Sequence, residues 1–260
     1  MAKRVIRDIP TDNLSDLPEE EPAADAMLKM LAARNRRADF QLWVIGDTPL
    51  ICHAWSQKAK LEMLATQTKA TRGAKEPRDP QEDFTNSLYL MPDGFYGFPV
   101  TALKSAIESV AHVKKGVAKS EVRKSLFFKA EMIRAYTACA DAICDMPVVR
   151  IFGSTPEMRE DMGRVGGMNS GATLIYRAQF TLWAMRLVGH FDPNVISQPV
   201  LSFLIDQAGS GCGIGDWRIE KSGMFGGFHL ARPDEEAAWQ RFADGGCEGP
   251  VPTQVERAAA

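Results

Sequence analysis

The residues best suited to chemistry lie near the carboxyl end, in the stretch GSGCGIGDWRIEKSGMFGGFHL at positions 209–230. Glycine-rich loops often wrap phosphate groups, because their backbone N–H groups can approach a ligand closely. A dinucleotide site requires the spacing GxGxxG after a strand and before a helix. Here the glycines alternate at 209, 211, 213 and 215, after a predicted helix and before a predicted strand. This spacing argues against a nucleotide cofactor, and we expect no cofactor at all.

Two interpretations of this loop stay open. In the structural one, the glycines let the chain leave a helix and return close against a sheet. In the functional one, exposed backbone N–H groups face a nucleic-acid strand. Trp217 and Phe225 would then stack on bases, and Arg218 would bind phosphate.

Lysine and arginine concentrate in the middle of the chain, between acidic ends. Residues 8–25 contain seven acids and no base, whereas residues 56–134 contain fourteen bases and nine acids. This pattern fits a site for a polyanion and fits solvated surface charge equally well, so both interpretations stay open. The nucleic-acid contacts predicted from basic residues outside the glycine-rich stretch are Lys58, Lys60, Lys69, Arg72, Lys114, Lys115, Lys119, Arg123, Lys124 and Arg164.

Other side chains give weaker signals for catalysis or metal binding. The five cysteines form no CxxC pair, and the four histidines are scattered without helical spacing. We therefore expect reduced thiols and no zinc site. Asp79, Glu82 and Asp83 lie in a polar loop, where paired carboxylates serve acid–base or metal chemistry or are solvated charge.

Length and composition fit an ordinary globular protein. The 260 residues are 45% hydrophobic and 25% charged, with a net charge of −2. No apolar run reaches the length of about 18 residues that a membrane span needs. The first residues lack the apolar segment of a signal peptide. We therefore expect a cytoplasmic protein with no membrane contact.

The elements that must position these residues alternate between strands and helices. We predict a short helix within 23–37, from the spacing of Met27, Met30 and Leu31. Pro99 is expected to open a helix with Val100, Leu103, Ile107 and Val110 as its buried stripe. A second helix is expected over 197–209, from Ser197 to Gly209. The predicted extended segments are 40–45, 50–55, 86–91, 95–98, 124–136, 146–153, 173–189, 217–222 and 224–231.

This order reduces to β, α, β, β, α, β with long insertions, which is an α+β fold of the ferredoxin-like (RRM-like) type. We predict three parts in the chain. A flexible acidic arm with a short helix spans 1–38, the core spans 39–231, and an acidic tail spans 232–260. The insertions into the core are expected at about 56–85, 113–147 and 154–171.

Two segments together resemble a known family. DGFYGFPVTALKSAIES at 93–109 resembles the helix-start segment of the RAMP superfamily, the backbone and processing subunits of CRISPR effector complexes. The stretch at 209–230 resembles the C-terminal glycine-rich loop of the same superfamily. The match departs from the family pattern at Val100 and Thr101, which replace small residues, and at Ser105, where glycine is frequent.

The resemblance to the backbone subunits implies a non-catalytic protein that binds single-stranded RNA or DNA. It also implies that copies of the protein oligomerise along the strand into a filament. This filament would work with other ribonucleoprotein subunits or within a viral DNA-handling system. The insertions would act as finger and thumb elements. Lys104 matches the lysine of the family helix-start motif, which implies a contact with the nucleic-acid backbone.

Two alternatives remain beside this interpretation. Some superfamily members cleave RNA with a loop aspartate, and Asp79 and Asp83 lie where that residue would be, which allows a metal-dependent RNA endonuclease. The processing nucleases often use a histidine, and His53 has no visible basic partner in the sequence. The other alternative is a structural or assembly protein with no role in nucleic-acid binding.

Overall fold

The computed structural model describes residues 25–27, 30, 37–68, 78–139, 142–164 and 171–245. The chain divides into two compact units, Met1–Arg36 and Arg37–Ala260. In the first unit, residues 25–27 and 30 are helical, in agreement with the short helix predicted there. All elements named below belong to the second unit.

The described part of the second unit is a mixed α+β fold with antiparallel sheets. Its strands are β1 (Ala38–Gly46), β2 (Leu50–Cys52), β3 (Tyr89–Leu90), β4 (Tyr96–Pro99), β5 (Leu126–Lys129), β6 (Glu131–Arg134), β7 (Asp145–Gly153), β8 (Glu157–Arg164), β9 (Ala172–Phe180), β10 (Trp183–Phe191) and β11 (Phe228–Leu230). Its α-helices are α1 (Gln57–Gln67), α2 (Pro80–Asn86), α3 (Val100–Ser109), α4 (Lys119–Ser125), α5 (Gln198–Gly211) and α6 (Pro233–Gly245). Short 3₁₀ helices span Ala111–Val113 and Ile219–Lys221.

The larger sheet has eight strands, and its main path runs β11-β1-β10-β7-β4-β3. β5 pairs with β10, and β6 pairs with β7. Within it, the neighbouring pairs of β1, β7, β10 and β11 are antiparallel. Across the sheet they lie in the order β11, β1, β10 and β7. Along the chain these are the fourth, first, third and second of the four strands. Helix α3 follows the first of them and α5 follows the third, which is compatible with the predicted βαββαβ core.

The main core lies between one face of this sheet and helices α3 and α5. Leu103 and Ile107 of α3 and Leu204 of α5 are fully buried against Val44 and Met185 of the sheet. The stripe predicted for the helix after Pro99 is thus confirmed, because Val100 and Val110 are buried as well. This packing fixes the position of α3, which forms one side of the cleft described below.

Helix α6 covers part of the opposite face of the sheet. Successive side chains of a strand point to opposite faces, so Trp43 of β1 and Phe152 of β7 point away from the main core. Trp239 of α6 packs against both, with its ring centroid 6.4 Å from that of Trp43. None of the described helices has the length and apolar character needed to cross a bilayer.

A second sheet has three strands in the order β2-β9-β8. It differs from the sequence predictions in two places. Residues 154–171 were predicted as an insertion to which no strand was assigned, and 157–164 of this segment form β8. The strand predicted over 173–189 is two strands, β9 and β10, which belong to different sheets. The alternation of buried and less buried residues shifts by one position between Phe180 and Trp183. The two residues between them are therefore needed for the chain to pass from one sheet to the other.

Three smaller predictions also need correction. Pro99 is the last residue of β4 and the N-cap of α3 rather than its first helical residue. Gly209 does not end its helix, because α5 continues to Gly211. A side chain at Gly209 would place its Cβ 1.8 Å from the carbonyl oxygen of Phe228, so this glycine lets β11 approach the helix. Residues 217–222 contain a 3₁₀ helix rather than a strand.

Candidate functional site

A cleft of about 550 Å³ lies between helix α3 and the glycine-rich loop at 212–221. We call it the glycine-loop cleft. Its helix wall consists of Pro99, Ala102, Ser105, Ala106 and Ser109 from the N-cap and body of α3, and of Lys119, the first residue of α4. Its loop wall consists of residues 212–216, Arg218, Glu220 and Lys221, and His53, Tyr89 and Phe98 complete the lining. The two segments that carry the family resemblance therefore meet across one cleft.

The loop wall has its shape because glycines allow close packing within the loop. Gly226 has φ +67°, and a Cβ there would lie 1.7 Å from the carbonyl oxygen of Ile214. Gly215 has φ +81°, and its Cβ would lie 2.5 Å from the carbonyl oxygen of Ile51. Both conformations favour glycine, and both contacts are too short for any side chain. The structural interpretation of these two glycines is therefore correct.

Backbone hydrogen bonds join the glycine-rich stretch to β2 and to the connection that precedes it. The N–H of Asp216 donates to the carbonyl of Ile51 at 3.0 Å, and the N–H of Gly226 donates to the carbonyl of Pro49 at 2.8 Å. The carboxylate of Asp216 also forms an ion pair with Arg177 of β9, whose side chain is 11% exposed. The loop is thus attached to the second sheet as well as to the first.

Arg218 and Glu220 of the loop wall are paired with each other. Arg218 donates from Nε and Nη2 to the Oε2 atom of Glu220, at 3.1 and 2.8 Å. The hydrogen bond from Arg218 lowers the pKa of Glu220. Both side chains are partly exposed, and exposed ion pairs contribute only about 0–1 kcal/mol. An incoming anion can therefore replace Glu220 on Arg218 at little cost.

His53 lies at the edge of the cleft beside Asp216, with its Nδ1 atom 3.6 Å from the Asp216 Oδ2 atom. Burial lowers the pKa of His53 and the positive charge of Arg177 lowers it further, while Asp216 opposes both. The basic partner that the sequence did not reveal is Arg177, more than a hundred positions away in the chain. His53 is therefore mainly neutral at pH 7.

Each wall also carries a lysine with no ion pair among the described residues, Lys119 on the helix wall and Lys221 on the loop wall. Lys119 forms no ion pair with any residue that the structure describes, and the same holds for Lys115 and Lys124 nearby in the chain. Lys114 lies with its ammonium 5.9 Å from the centre of the Phe203 ring. The N-terminus of α3 has no side-chain cap, so its first N–H groups keep a partial positive charge at this wall.

The structure brings only some of the predicted contact residues together. Lys119 and Arg218 line the cleft, and Trp217, at 43% exposure, follows Asp216 on the same loop. Phe225 is half-buried, and the guanidinium of Arg159 lies 4.5 Å from its ring centre. One face of the Phe225 ring therefore already has a partner, and stacking of this ring on a base stays a prediction.

Several other predicted contacts have structural partners. Lys104 donates to the carbonyl of Leu126 at 2.8 Å and lies 5.1 Å from the ring centre of Phe127. Arg123 forms an ion pair with the buried carboxylate of Glu108 at 2.9 Å.

On α1, Lys60 donates to the carbonyl of Tyr136, and Lys58 is half-buried. Lys69, Arg72 and the side chain of Arg164 lie outside the described residues. As nucleic-acid contacts, all of these stay predictions.

The carboxylates considered for metal chemistry lie on α2. Asp79 is the N-cap of this helix and accepts a hydrogen bond from the N–H of Gln81 at 2.9 Å. Asp83 lies 4.0 Å from Arg78 in a weak ion pair. Within the described residues, no group of three His, Cys, Asp or Glu side chains is arranged to hold a metal ion.

Among the residues that line the cleft, His53, Asp216, Glu220 and Lys221 were not in the predicted set of site residues. Asp216, Glu220 and Lys221 lie in the same glycine-rich stretch as Arg218, so their position in the chain was a usable signal. For His53 the only signal was its place at the end of a predicted extended segment. Its approach to Asp216 depends on how the two sheets meet.

Comparisons with known proteins add little. No protein-family model matches the chain, and no curated protein matches it. Among solved structures, a chain from the cryo-EM structure of the Type III-B Cmr-beta bound to cognate target RNA is weakly similar. The TM-score is 0.38 and the sequence identity 11%, over 82% of this chain and 66% of that chain. A TM-score this low does not define a shared fold, so the likeness to the RAMP superfamily stays a resemblance.

Proposed function

We propose that the chain binds the backbone of single-stranded nucleic acid in the glycine-loop cleft and does not cleave it. The observation that carries this proposal is the convergence of two distant segments, 99–109 and 212–221, on one cleft with cations on both walls. Lys119 stands on one side, and Arg218 and Lys221 stand on the other. A strand that crosses the cleft would meet positive charge from both directions.

The charges suit a polyanion better than a single small anion. Lysines without ion-pair partners continue from Lys119 to Lys115 and Lys124, so the cationic surface extends beyond the cleft along the chain. Neutralising successive phosphates releases counterions from the strand, which gives sequence-independent affinity. The exposed ring of Trp217 beside this surface offers a face on which a base can stack.

The dimensions favour one strand over a duplex. A volume of about 550 Å³ is in the range of sites for small ligands, which corresponds to one or two nucleotides of a single strand. A duplex would not enter such a cleft. From the resemblance of the two motifs we also propose that copies of the chain line up along the strand, each holding a short segment.

Fluorescence anisotropy with labelled oligo(dT) and oligo(U) tests the binding proposal and compares DNA with RNA. Affinity for both should fall steeply as salt rises, because phosphate contacts release counterions. The double change Lys119→Ala and Lys221→Ala should weaken binding to every sequence alike. Lys129→Ala is the matched control, since Lys129 is an exposed lysine of β5 outside the cleft.

Binding that is absent or insensitive to salt would overturn the proposal. RNA that is cut during long incubation with Mg²⁺ would overturn its non-catalytic part and support the nuclease alternative. Sedimentation of the protein with strands of increasing length tests the arrangement of copies. A fixed stoichiometry of one at every length would contradict that arrangement.

A further inference from the structure

A second concavity lies beside helix α6, and the proposed strand binding does not involve it. Its volume is about 200 Å³, and it lies between the turn from β3 to β4, the end of β7, and α6. Its walls include Phe95, Tyr96, Arg150, Phe152, Phe180 and Phe242. Five of these six are aromatic, and the only charged one is Arg150.

Arg150 is held in place by aromatic rings. Its guanidinium carbon lies 3.1 Å from the ring centre of Phe95 and 5.0 Å from that of Phe152. Cation–π contacts of this kind orient the guanidinium without using its hydrogen-bond donors. Because β7 carries Arg150 and Phe152 two positions apart, both side chains lie on the same face of the sheet.

The hydrogen-bonding capacity of Arg150 is not used by the residues around it. Its only ion-pair partner in the described chain is Asp93, with 3.9 Å between Nη1 and Oδ2, which exceeds a hydrogen-bond distance. The other oxygen of Asp93 accepts from the N–H of Phe95 at 3.1 Å, so this carboxylate belongs to the turn. The Nε atom of Arg150 is buried with no partner, and the side chain keeps 28% exposure along the cavity.

This combination selects a ligand class. A cation is excluded by Arg150, and a neutral apolar molecule would leave the guanidinium unpaired. An apolar cavity of about 150 Å³ accommodates benzene, so 200 Å³ takes one ring with a small substituent but not a nucleotide. A planar carboxylate matches the fork of a guanidinium with two parallel hydrogen bonds. We propose that this cavity binds a small carboxylic acid with one aromatic ring, through Arg150.

Ligand-observed NMR with benzoate as the probe and benzamide as its neutral counterpart tests the site. Benzoate should bind with a Kd on the order of 1 mM, as expected for a ligand of this size. Benzamide should bind at least about tenfold more weakly, because it cannot form the charge-assisted pair. Arg150→Met should remove the preference for benzoate. Equal binding of the two compounds, or no binding of benzoate, would overturn the proposal.

Asp93→Asn is the second variant, and it decides the matter if Arg150→Met does not fold. Asparagine keeps the oxygen that accepts from Phe95, while the competing negative charge beside Arg150 is removed. Benzoate affinity should rise about threefold and benzamide affinity should stay unchanged. Benzoate affinity that is unchanged or lower in Asp93→Asn would contradict a carboxylate at Arg150. Saturating benzoate should not displace oligo(dT), so the result is independent of the glycine-loop cleft.

Discussion

The two walls of the glycine-loop cleft differ in how their charged residues are paired. On the loop wall, Arg218 is paired with Glu220, and Asp216 with Arg177, while Lys221 has no ion-pair partner among the described residues. On the helix wall, Lys119 likewise has none, and no carboxylate is among the described residues that line this wall. The loop wall is built from tight backbone contacts, whereas Lys119 is exposed. We infer that the loop wall mainly gives the cleft its shape, and that the unpaired lysines supply most of the net attraction.

The largest effect is expected from a change in the shape of the loop wall. Gly226→Ala should lower the free energy of unfolding by about 3 kcal/mol or more, because the new Cβ meets the carbonyl of Ile214 at a positive φ. Gly211→Ala is the control: its Cβ meets nothing closer than 3.8 Å, and its effect should stay within about 1 kcal/mol. Urea denaturation measures both, and equal stabilities would contradict a structural role for the glycine.

The next largest effect should come from the lysines at and beyond the helix wall. The combined change of Lys114, Lys115 and Lys119 to Ala should weaken binding of oligo(dT) and oligo(U) by about 10- to 100-fold at low salt. The slope of log affinity against log salt should also fall by about 2, near 0.7 for each lost phosphate contact. Anisotropy titrations at several salt concentrations give both quantities. An unchanged slope would mean that these lysines touch no phosphate.

A gain of affinity is the third expectation, and it tests the pairing on the loop wall. Glu220→Gln removes the negative charge that a phosphate must displace from Arg218, so affinity should rise by up to about fivefold. Glu82→Gln removes the same charge on α2, outside the cleft, and should leave affinity unchanged. The same anisotropy assay compares them. A loss of affinity in Glu220→Gln would show instead that Glu220 orients Arg218 for binding.

The smallest effect should be a dependence on pH that His53 causes. The pKa of His53 is lowered from 6.5, so its imidazole is mainly neutral at pH 7. The imidazole gains a proton only as the pH falls below 6.5. The added positive charge should raise strand affinity by about two- to threefold at acidic pH. The same proton is bound more weakly in the folded state than in the unfolded state, so it should slightly lower stability below pH 6.5.

His53→Gln provides the comparison for this pH effect. Its affinity should be flatter with pH than that of the parent protein. His229, whose pKa is raised by its hydrogen bond to Asp47, titrates alike in both proteins and cancels in the difference. Identical pH profiles for the two proteins would show that no phosphate approaches His53.

Elements with one buried face were predictable from the sequence. β1, β7, α3 and α5 alternate or repeat apolar residues with the period of their structure, and their existence was predicted correctly. β8 was missed because its pattern is inverted. Met158 and Met162 are exposed on one of its faces, while Arg159 and Asp161 pair with each other on the less exposed face. A hydropathy pattern cannot reveal a strand whose partly buried side chains form an ion pair.

For the candidate site, the sequence identified the segments that form both walls of the cleft. It did not show that these segments face each other. The glycine-rich stretch and the segment after Pro99 were identified as separate motifs, and Lys119 and Arg218 were named within basic segments. Their approach depends on the packing of α3 beside α5, which no local pattern describes. The contact between Phe225 and Arg159 could not be foreseen either, because Arg159 belongs to β8, which was not predicted.

The distribution of tryptophan gives this protein an intrinsic optical reporter. Trp43, Trp183 and Trp239 are at most 2% exposed, whereas Trp55 and Trp217 are 49% and 43% exposed. A soluble quencher would therefore reach the last two and leave the other three emitting. With Trp55 changed to Phe, the quenchable emission comes from Trp217 of the glycine-rich loop alone. Protection of that emission by an unlabelled strand would measure occupancy of the cleft in solution, without any attached dye.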